Sequence, residues 1–347
     1  MIPMKRSVLP ALVASALALS ACGGSADDGN GNEGDGVRVV ASFYPAQFLA
    51  ERVGGEHANI ETLTSPGGEA HDLELTAKQI GAVQSADVVV YLDGFQTAVD
   101  EAVEQAGRDE GTTVDLADGV ELLDAEASHD HGHAHEESHD HGHAHEESHD
   151  HDHDHEGEES HGDEVEESHD HGHGDVDPHL WLDPTNLKPA AQSLADALSQ
   201  ADPDHADAYA ANAQALIDDL TALDAEFADG LATCERRDFV TSHAAFSYLA
   251  HAYDLHQLPI AGIDPGSEPS TAQLGQITEL VQTEGITTIF TETLASPALA
   301  ETVARETGAT TATLDPIEGL TDETSDQDYL SIMRANLAAL QKANDCR

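Results

Sequence analysis

The sequence predicts an α/β protein of two lobes, each with a central parallel sheet flanked by helices, joined by a long rigid helix. Three observations predict it. Short apolar runs alternate with helical periodicities in two series, at residues 37–124 and 234–347. The run Asp87-Val-Val-Val-Tyr-Leu92 lacks polar alternation, as a parallel strand covered on both faces requires. Between the series Tyr209, Ala213, Leu216, Leu220, Leu223, Phe227 and Leu231 form one apolar stripe at three- and four-residue steps. A helix over residues 204–231 would run roughly 40 Å at 1.5 Å per residue, longer than a usual crossover and suited to a strut.

In the first series residues 37–43 are β-rich, and 45–53 form a helix opened by Pro45. Residues 60–64 are the next strand and end in the loop Ser65-Pro-Gly-Gly-Glu-Ala-His71-Asp. Residues 76–85 are helical, 87–92 a strand, 97–106 helical and 112–116 a fourth strand. That β-α-β order predicts a parallel sheet with right-handed crossovers. The chain resumes as Asp177-Pro-His-Leu-Trp-Leu-Asp-Pro184 and a helix over 188–199, completing the first lobe at residues 177–203; the linking segment is 204–233. The second series reads as strand 238–242 running into His243, helix 245–253, strand 258–263, helix 271–284 and strand 287–291. Helix 297–307, strand 310–314 running into Asp315, and helix 328–343 follow.

At 347 residues the chain can hold two domains with separate cores. Its formal charge of −55 argues against nucleic acid, whose phosphates it would repel. Residues 126–177 hold 20 of the 68 acidic side chains, so about −35 remains elsewhere. Such acidity suits cation attraction or life in high salt, and the sequence does not separate the two.

Lys5 and Arg6 precede an apolar run at residues 8–19 and then Leu19-Ser-Ala-Cys22. Such a run, about 12 residues, is too short to span a bilayer, which needs roughly 20. Small residues before a cysteine resemble the bacterial lipobox. Residues 1–21 are thus read as a lipoprotein signal, Cys22 as the lipidated terminus, and 22–36 as a flexible tether. The alternative is an ordinary secretory signal with a chance cysteine.

Residues 125–176 enclose repeats of Ser-His-Asp-His-Gly-His-Ala-His-Glu-Glu and hold 16 of the 23 histidines. They are His129, His131, His133, His135, His139, His141, His143, His145, His149, His151, His153, His155, His161, His169, His171 and His173. With almost nothing apolar to bury, the segment is expected to be disordered, and its imidazoles interleaved with carboxylates form a low-affinity ligand set for zinc. The bland alternative is a solvated acidic spacer. His135-Glu-Glu-Ser-His139 and His145-Glu-Glu-Ser-His149 match a zinc-peptidase pattern, but that chemistry needs an apolar-faced helix and these flanks are Gly, Asp and His.

Cys234 and Cys346 are read as a disulfide, because an exported chain meets an oxidising compartment. Closing a loop of about 110 residues stabilises by roughly 4–5 kcal/mol in the chain-entropy picture. Two thiolate metal ligands are the competing reading, although neither cysteine lies near a histidine motif.

Outside the tract, His71, His179 and His243 sit in loops at or near strand ends, and Asp315 just past the last strand. Ligands gather at the carboxyl ends of parallel strands, so these four could converge between the lobes. Three imidazoles and a carboxylate would satisfy tetrahedral zinc with no open position, holding metal rather than activating water. Asp-Pro is also a common turn starter, Glu69 is a rival fourth ligand, and Glu292 is placed to orient an imidazole. His57, His205, His251 and His256 lack motif context, and Trp181 reads as packing.

Gly68-Glu-Ala-His71-Asp-Leu-Glu-Leu75, Asp177-Pro-His179-Leu-Trp-Leu-Asp-Pro184, Thr241-Ser-His243-Ala-Ala-Phe-Ser-Tyr248 and Thr313-Leu-Asp315-Pro resemble the periplasmic zinc-binding proteins of bacterial ABC importers. The resemblance covers roughly residue 37 to the C-terminus. It implies two α/β lobes on a backbone helix, with His71, His179 and His243 as zinc ligands and a carboxylate, water or nearby Glu as the fourth. It also agrees with a disulfide in the second lobe. The expected role is a lipid-anchored extracytoplasmic or periplasmic monomer that carries Zn(II) to a membrane permease with its cytoplasmic ATPase. Manganese-type relatives tend to have Glu at the third position, here His243, and a nitrogen triad favours zinc over the harder ion. The alternatives are a manganese or iron importer component of the same fold, and a metal-buffering or adhesion protein with no transporter. No nucleophile–base pair or open metal site points to an enzyme.

Overall fold

Short apolar strands that pair only in parallel need helices on both faces, and the chain supplies them twice. The computed structural model describes residues 36–125 and 176–347; the expected signal, Cys22, nearly all of the tether and the histidine repeats lie outside the described residues. The first series is β1 (Val37–Ala41), α1 (Tyr44–Gly54), β2 (Ala58–Thr62), α2 (Ala77–Ser85), β3 (Val88–Tyr91), α3 (Thr97–Ala106) and β4 (Thr113–Asp115). Its sheet runs β2-β1-β3-β4, all parallel. Helices α4 (Leu187–Ala201) and α5 (Ala206–Leu231) follow. The second series is β5 (Asp238–Thr241), α6 (Ser247–Ala252), β6 (His256–Pro259), α7 (Thr271–Thr283), β7 (Thr288–Thr291), α8 (Ala298–Thr307), β8 (Thr310–Thr313) and α9 (Tyr329–Ala343). Its order, β6-β5-β7-β8, repeats the first. In both sheets the winding reverses beside the first strand, which opens a crevice at the carboxyl ends.

Helix α5 buries the stripe read from the sequence: Tyr209, Ala213, Leu216, Leu220, Leu223, Phe227 and Leu231. It packs on α1 and α4 of the first lobe and on α9 of the second. Arg52 of α1 meets Asp219 at 2.6 Å, and Arg334 of α9 grips Glu226 at 2.7 and 2.9 Å. One apolar cluster runs from Val39 and Phe43 through Trp181 and Leu216 to Met333 and Leu340, so both lobes share a core. Cys234 and Cys346, 112 residues apart, form a disulfide that ties the chain just beyond α5 to the C-terminus.

Two elements beside the site are displaced from expectation. Strand β6 starts two residues earlier than its apolar run and ends at Pro259, while α6 starts two residues late, at Ser247. The side chain of Gln257 on β6 accounts for the late start of α6. It donates to Thr241 Oγ1 (2.8 Å) and His243 O (2.9 Å) and accepts from Phe246 N (3.1 Å). Backbone groups that would begin a longer helix are thereby held in a bend, and His243 sits on that bend.

Candidate metal centre

His71 lies in the loop after β2. Gln96 holds that loop, donating to Thr64 Oγ1 (3.1 Å) and Ala70 O (2.9 Å), and Glu69 Oε1 accepts from His71 N (3.1 Å). His179 opens a tight turn, Leu180–Leu182, whose three side chains are all buried. Trp181 fastens this turn to the second lobe: its Nε1 donates to Pro316 O (2.7 Å), and Tyr329 OH donates to Trp181 O (2.6 Å). His243 follows β5, and Glu318 stands five residues beyond β8.

The Nε2 atoms of His71, His179 and His243 lie 3.4, 3.3 and 3.4 Å from one oxygen, Glu318 Oε1. All four ligand atoms fall within 4.8 Å of one another. Donors at about 2.0–2.2 Å from a tetrahedral ion are spaced roughly 3.3–3.6 Å apart, so these contacts have the length of tetrahedral edges. They are long for hydrogen bonds, and Nε2 of His179 and of His243 is buried without a hydrogen-bond partner. Two orphaned, convergent imidazole nitrogens in a dry site fit a metal ion. The side chains of His179, His243 and Glu318 are 0–2% exposed, whereas His71 keeps 11%, so access lies on its side.

Carboxylates orient two of the rings from behind. Asp177 Oδ1 lies 2.7 Å from His179 Nδ1, and Glu292 Oε2 lies 2.7 Å from His243 Nδ1. A carboxylate can only accept there, so each Nδ1 carries a proton and Nε2 is left as the nitrogen that can turn a lone pair to a metal. Burial alone would strip acid protons from His179, but Asp177 and then Glu318 outweigh it, and its pKa is raised. Burial also opposes a charge on His243, yet the hydrogen bond from its Nδ1 to Glu292 and the nearby charge of Glu318 prevail and push it up to about 10. Glu318 resists ionisation through burial, but the three imidazoles hold it well below the usual carboxylate range.

The structure brings together His71, His179 and His243, and in the place expected for Asp315 it puts Glu318. Asp315 is turned away: its Oδ1 accepts from Ile317 N (2.8 Å) and its Oδ2 from Thr293 Oγ1 (3.0 Å). Glu69 is occupied with the His71 backbone and is outside the group. Glu292 stands behind His243. Sequence reasoning missed Glu318 and the part played by Asp177. The second had a signal, an acid two residues before the histidine. For the first the only cue was an acid preceding Gly319 in the loop after the last strand.

Replacing Glu292 by Gln is expected to weaken Zn(II) binding about 10–100-fold, because an amide no longer fixes the ring as strongly. Chelator competition measures this, and an unchanged constant would show that His243 does not depend on Glu292.

A family model, described as ZnuA, zinc-uptake complex component A, periplasmic, matches residues 39–343. The zinc-binding lipoprotein AdcA of Streptococcus pneumoniae serotype 4 is 35% identical over 316 residues, covering 89% of this chain and 56% of AdcA. The chain therefore spans little more than half the length of that relative. The high-affinity zinc uptake system protein ZnuA of Bacillus subtilis is 32% identical over 310 residues, 88% of this chain and 87% of that protein. The crystal structure of the Zn(II)-bound ZnuA-like domain of S. pneumoniae AdcA superposes with a TM-score of 0.68 at 31% identity, covering 89% and 99% of the two chains. The laminin-binding protein Lmb of Streptococcus agalactiae, described as having adhesin and metal transporting activity, gives 0.68 at 27% identity, covering 89% and 99%.

Proposed function

The chain belongs to the ZnuA family, the periplasmic component A of zinc-uptake complexes, and from that premise we propose that it captures Zn(II) outside the cytoplasm and delivers it to an ABC permease. The observation that carries the reading is the convergence of three Nε2 atoms on Glu318 Oε1 at 3.3–3.4 Å, two of them with no other partner. Three nitrogens and one oxygen suit zinc better than manganese, which prefers oxygen donors. Four protein ligands leave no position for a reacting water, so the site holds its cargo and performs no catalysis. Anchoring through Cys22 keeps the protein at the outer face of the membrane.

Residues 128–174 serve as a collector. Their flanks meet as an antiparallel bridge between Asp124 and Val176, and Val176 is three residues from His179. Asp177 N donates to Leu123 O (2.9 Å). Metal held weakly in the tract is thus tethered beside the cleft, which raises its effective concentration there. Release falls to the permease, because the shared core, α5 and the bonds through Trp181 and Tyr329 leave the lobes little freedom to rotate.

Zinc titration of protein lacking residues 128–174 tests the reading. One tight site is expected to remain and to resist displacement by Mn(II). Loss of all tight binding would sink the cleft assignment, and preference for Mn(II) would sink the zinc assignment. Normal zinc-limited growth of a deletion strain would remove the transporter.

A further inference from the structure

We infer that Asp315 is a positioning residue that delivers Glu318 to the metal through a left-handed turn at Ile317. The inference rests on the reading of Glu318 as a zinc ligand. Ile317 is fully buried and has φ of 61°. The other non-glycine residues with positive φ among the described residues are Asp254 and Asp345, whose short polar side chains tolerate it. A β-branched residue does not, so the backbone at Ile317 is held against its own preference.

What holds it converges on Asp315, which is 5% exposed. Asn336 of α9 clamps the Asp315 backbone from both sides, accepting from its N–H at 2.9 Å and donating to its carbonyl at 2.7 Å. Thr293 fixes one carboxylate oxygen, and the other accepts from Ile317 N at 2.8 Å. Pro316 between them is held by Trp181 Nε1. With both neighbours fixed, the chain passes through the left-handed region at Ile317, and Glu318 emerges with its carboxylate on the three imidazoles. His179 and His243 are each braced by a carboxylate on the ring. Glu318 is braced by a carboxylate on the backbone one residue before it, and without that acceptor Ile317 relaxes to negative φ and withdraws the fourth ligand.

The test uses the full-length chain. Trp181 is its only tryptophan, and the ring lies 5.3 Å from that of His179, so its emission reports on the cleft. Zinc-loaded protein is mixed with excess chelator and release is timed. Asp315→Ala is expected to release Zn(II) roughly 10–100-fold faster, as for loss of other outer supports of a metal site. Asp315→Asn, which keeps an acceptor for Ile317 N, is expected to stay near the parent rate. Glu318→Gln alone is expected to be fast, and adding Asp315→Ala to it to change nothing more. Factors that multiply in the double variant, or a parent-like rate for Asp315→Ala, would overturn the proposal while leaving Glu318 a ligand. A parent-like rate for Glu318→Gln would overturn the ligand reading, and the proposal with it. If circular dichroism shows Asp315→Ala unfolded, Thr293→Val, which removes the hydroxyl that fixes the Asp315 carboxylate and keeps the acid itself, replaces it in the same cycle.

Discussion

Replacing His179 by alanine is expected to weaken Zn(II) binding at the cleft by two to three orders of magnitude. Four-ligand zinc sites bind with roughly 10–16 kcal/mol, so an equal share is about 2.5–4 kcal/mol per ligand. At about 1.4 kcal/mol per tenfold, that is roughly a factor of 10²–10³. His179 is expected to lie at the high end, because it is fully buried and its ring is preorganised by Asp177 at 2.7 Å. Its loss also strands Glu318 with one cation fewer in a dry site, a cost that exposed histidines do not carry. His205→Ala supplies the control: its ring stacks on His57 at 3.8 Å and pairs with Asp202 at 2.6 Å, outside the ligand group. Chelator competition on protein lacking residues 128–174 measures both, with thermal melting to confirm that each variant folds. A loss of less than tenfold for His179→Ala would remove it from the ligand set.

The same contrast shows what was legible beforehand. Strand β3 and helix α5 were readable because each keeps one pattern throughout. The continuous apolar run of β3, too short for a helix, suits a strand covered on both faces, and the α5 stripe suits a long helix. The histidines were readable because each sits in a loop punctuated by Gly, Pro or a strand end, where the fold class gathers ligands. Glu318 was not, because its place depends on positive φ at Ile317, and a β-branched residue is the last that local propensity would put there. Asp315 looked the better ligand because it lies next to the strand end, whereas its carboxylate is taken up by the Thr293 hydroxyl just past β7 and by the Ile317 N–H. The late start of α6 has a similar origin, since Gln257 reaches it from the neighbouring strand.

Zinc binding is expected to tighten at least tenfold for each pH unit between pH 7 and 9, where ordinary imidazoles would give a flat profile. Before metal arrives, the carboxylates Asp177, Glu292 and Glu318 surround the rings, and they keep His243 protonated up to about 10 and raise His179 as well. Zn(II) needs the same Nε2 lone pairs, so it must displace the His243 proton, and a second one wherever the raised His179 is still charged. Unperturbed imidazoles titrate near ~6.5 and would have nothing left to release above pH 7. One displaced proton changes the apparent constant by tenfold per unit and two by a hundredfold. Calorimetry in buffers of different ionisation enthalpy counts the released protons directly. Stability follows the opposite sign. A raised histidine pKa stabilises the folded chain fully below about 6.5, and that contribution is lost as pH rises towards about 10. Glu318, held low, adds stability above the ordinary carboxylate range that is lost only on acidification. The zinc-free chain should therefore melt at lower temperature at pH 9 than at pH 7, while the loaded chain, its nitrogens on metal, keeps its melting point. A binding constant that is flat above pH 7 would mean that the cleft carries no protons for zinc to displace, and that the three carboxylates hold the rings in place without charging them.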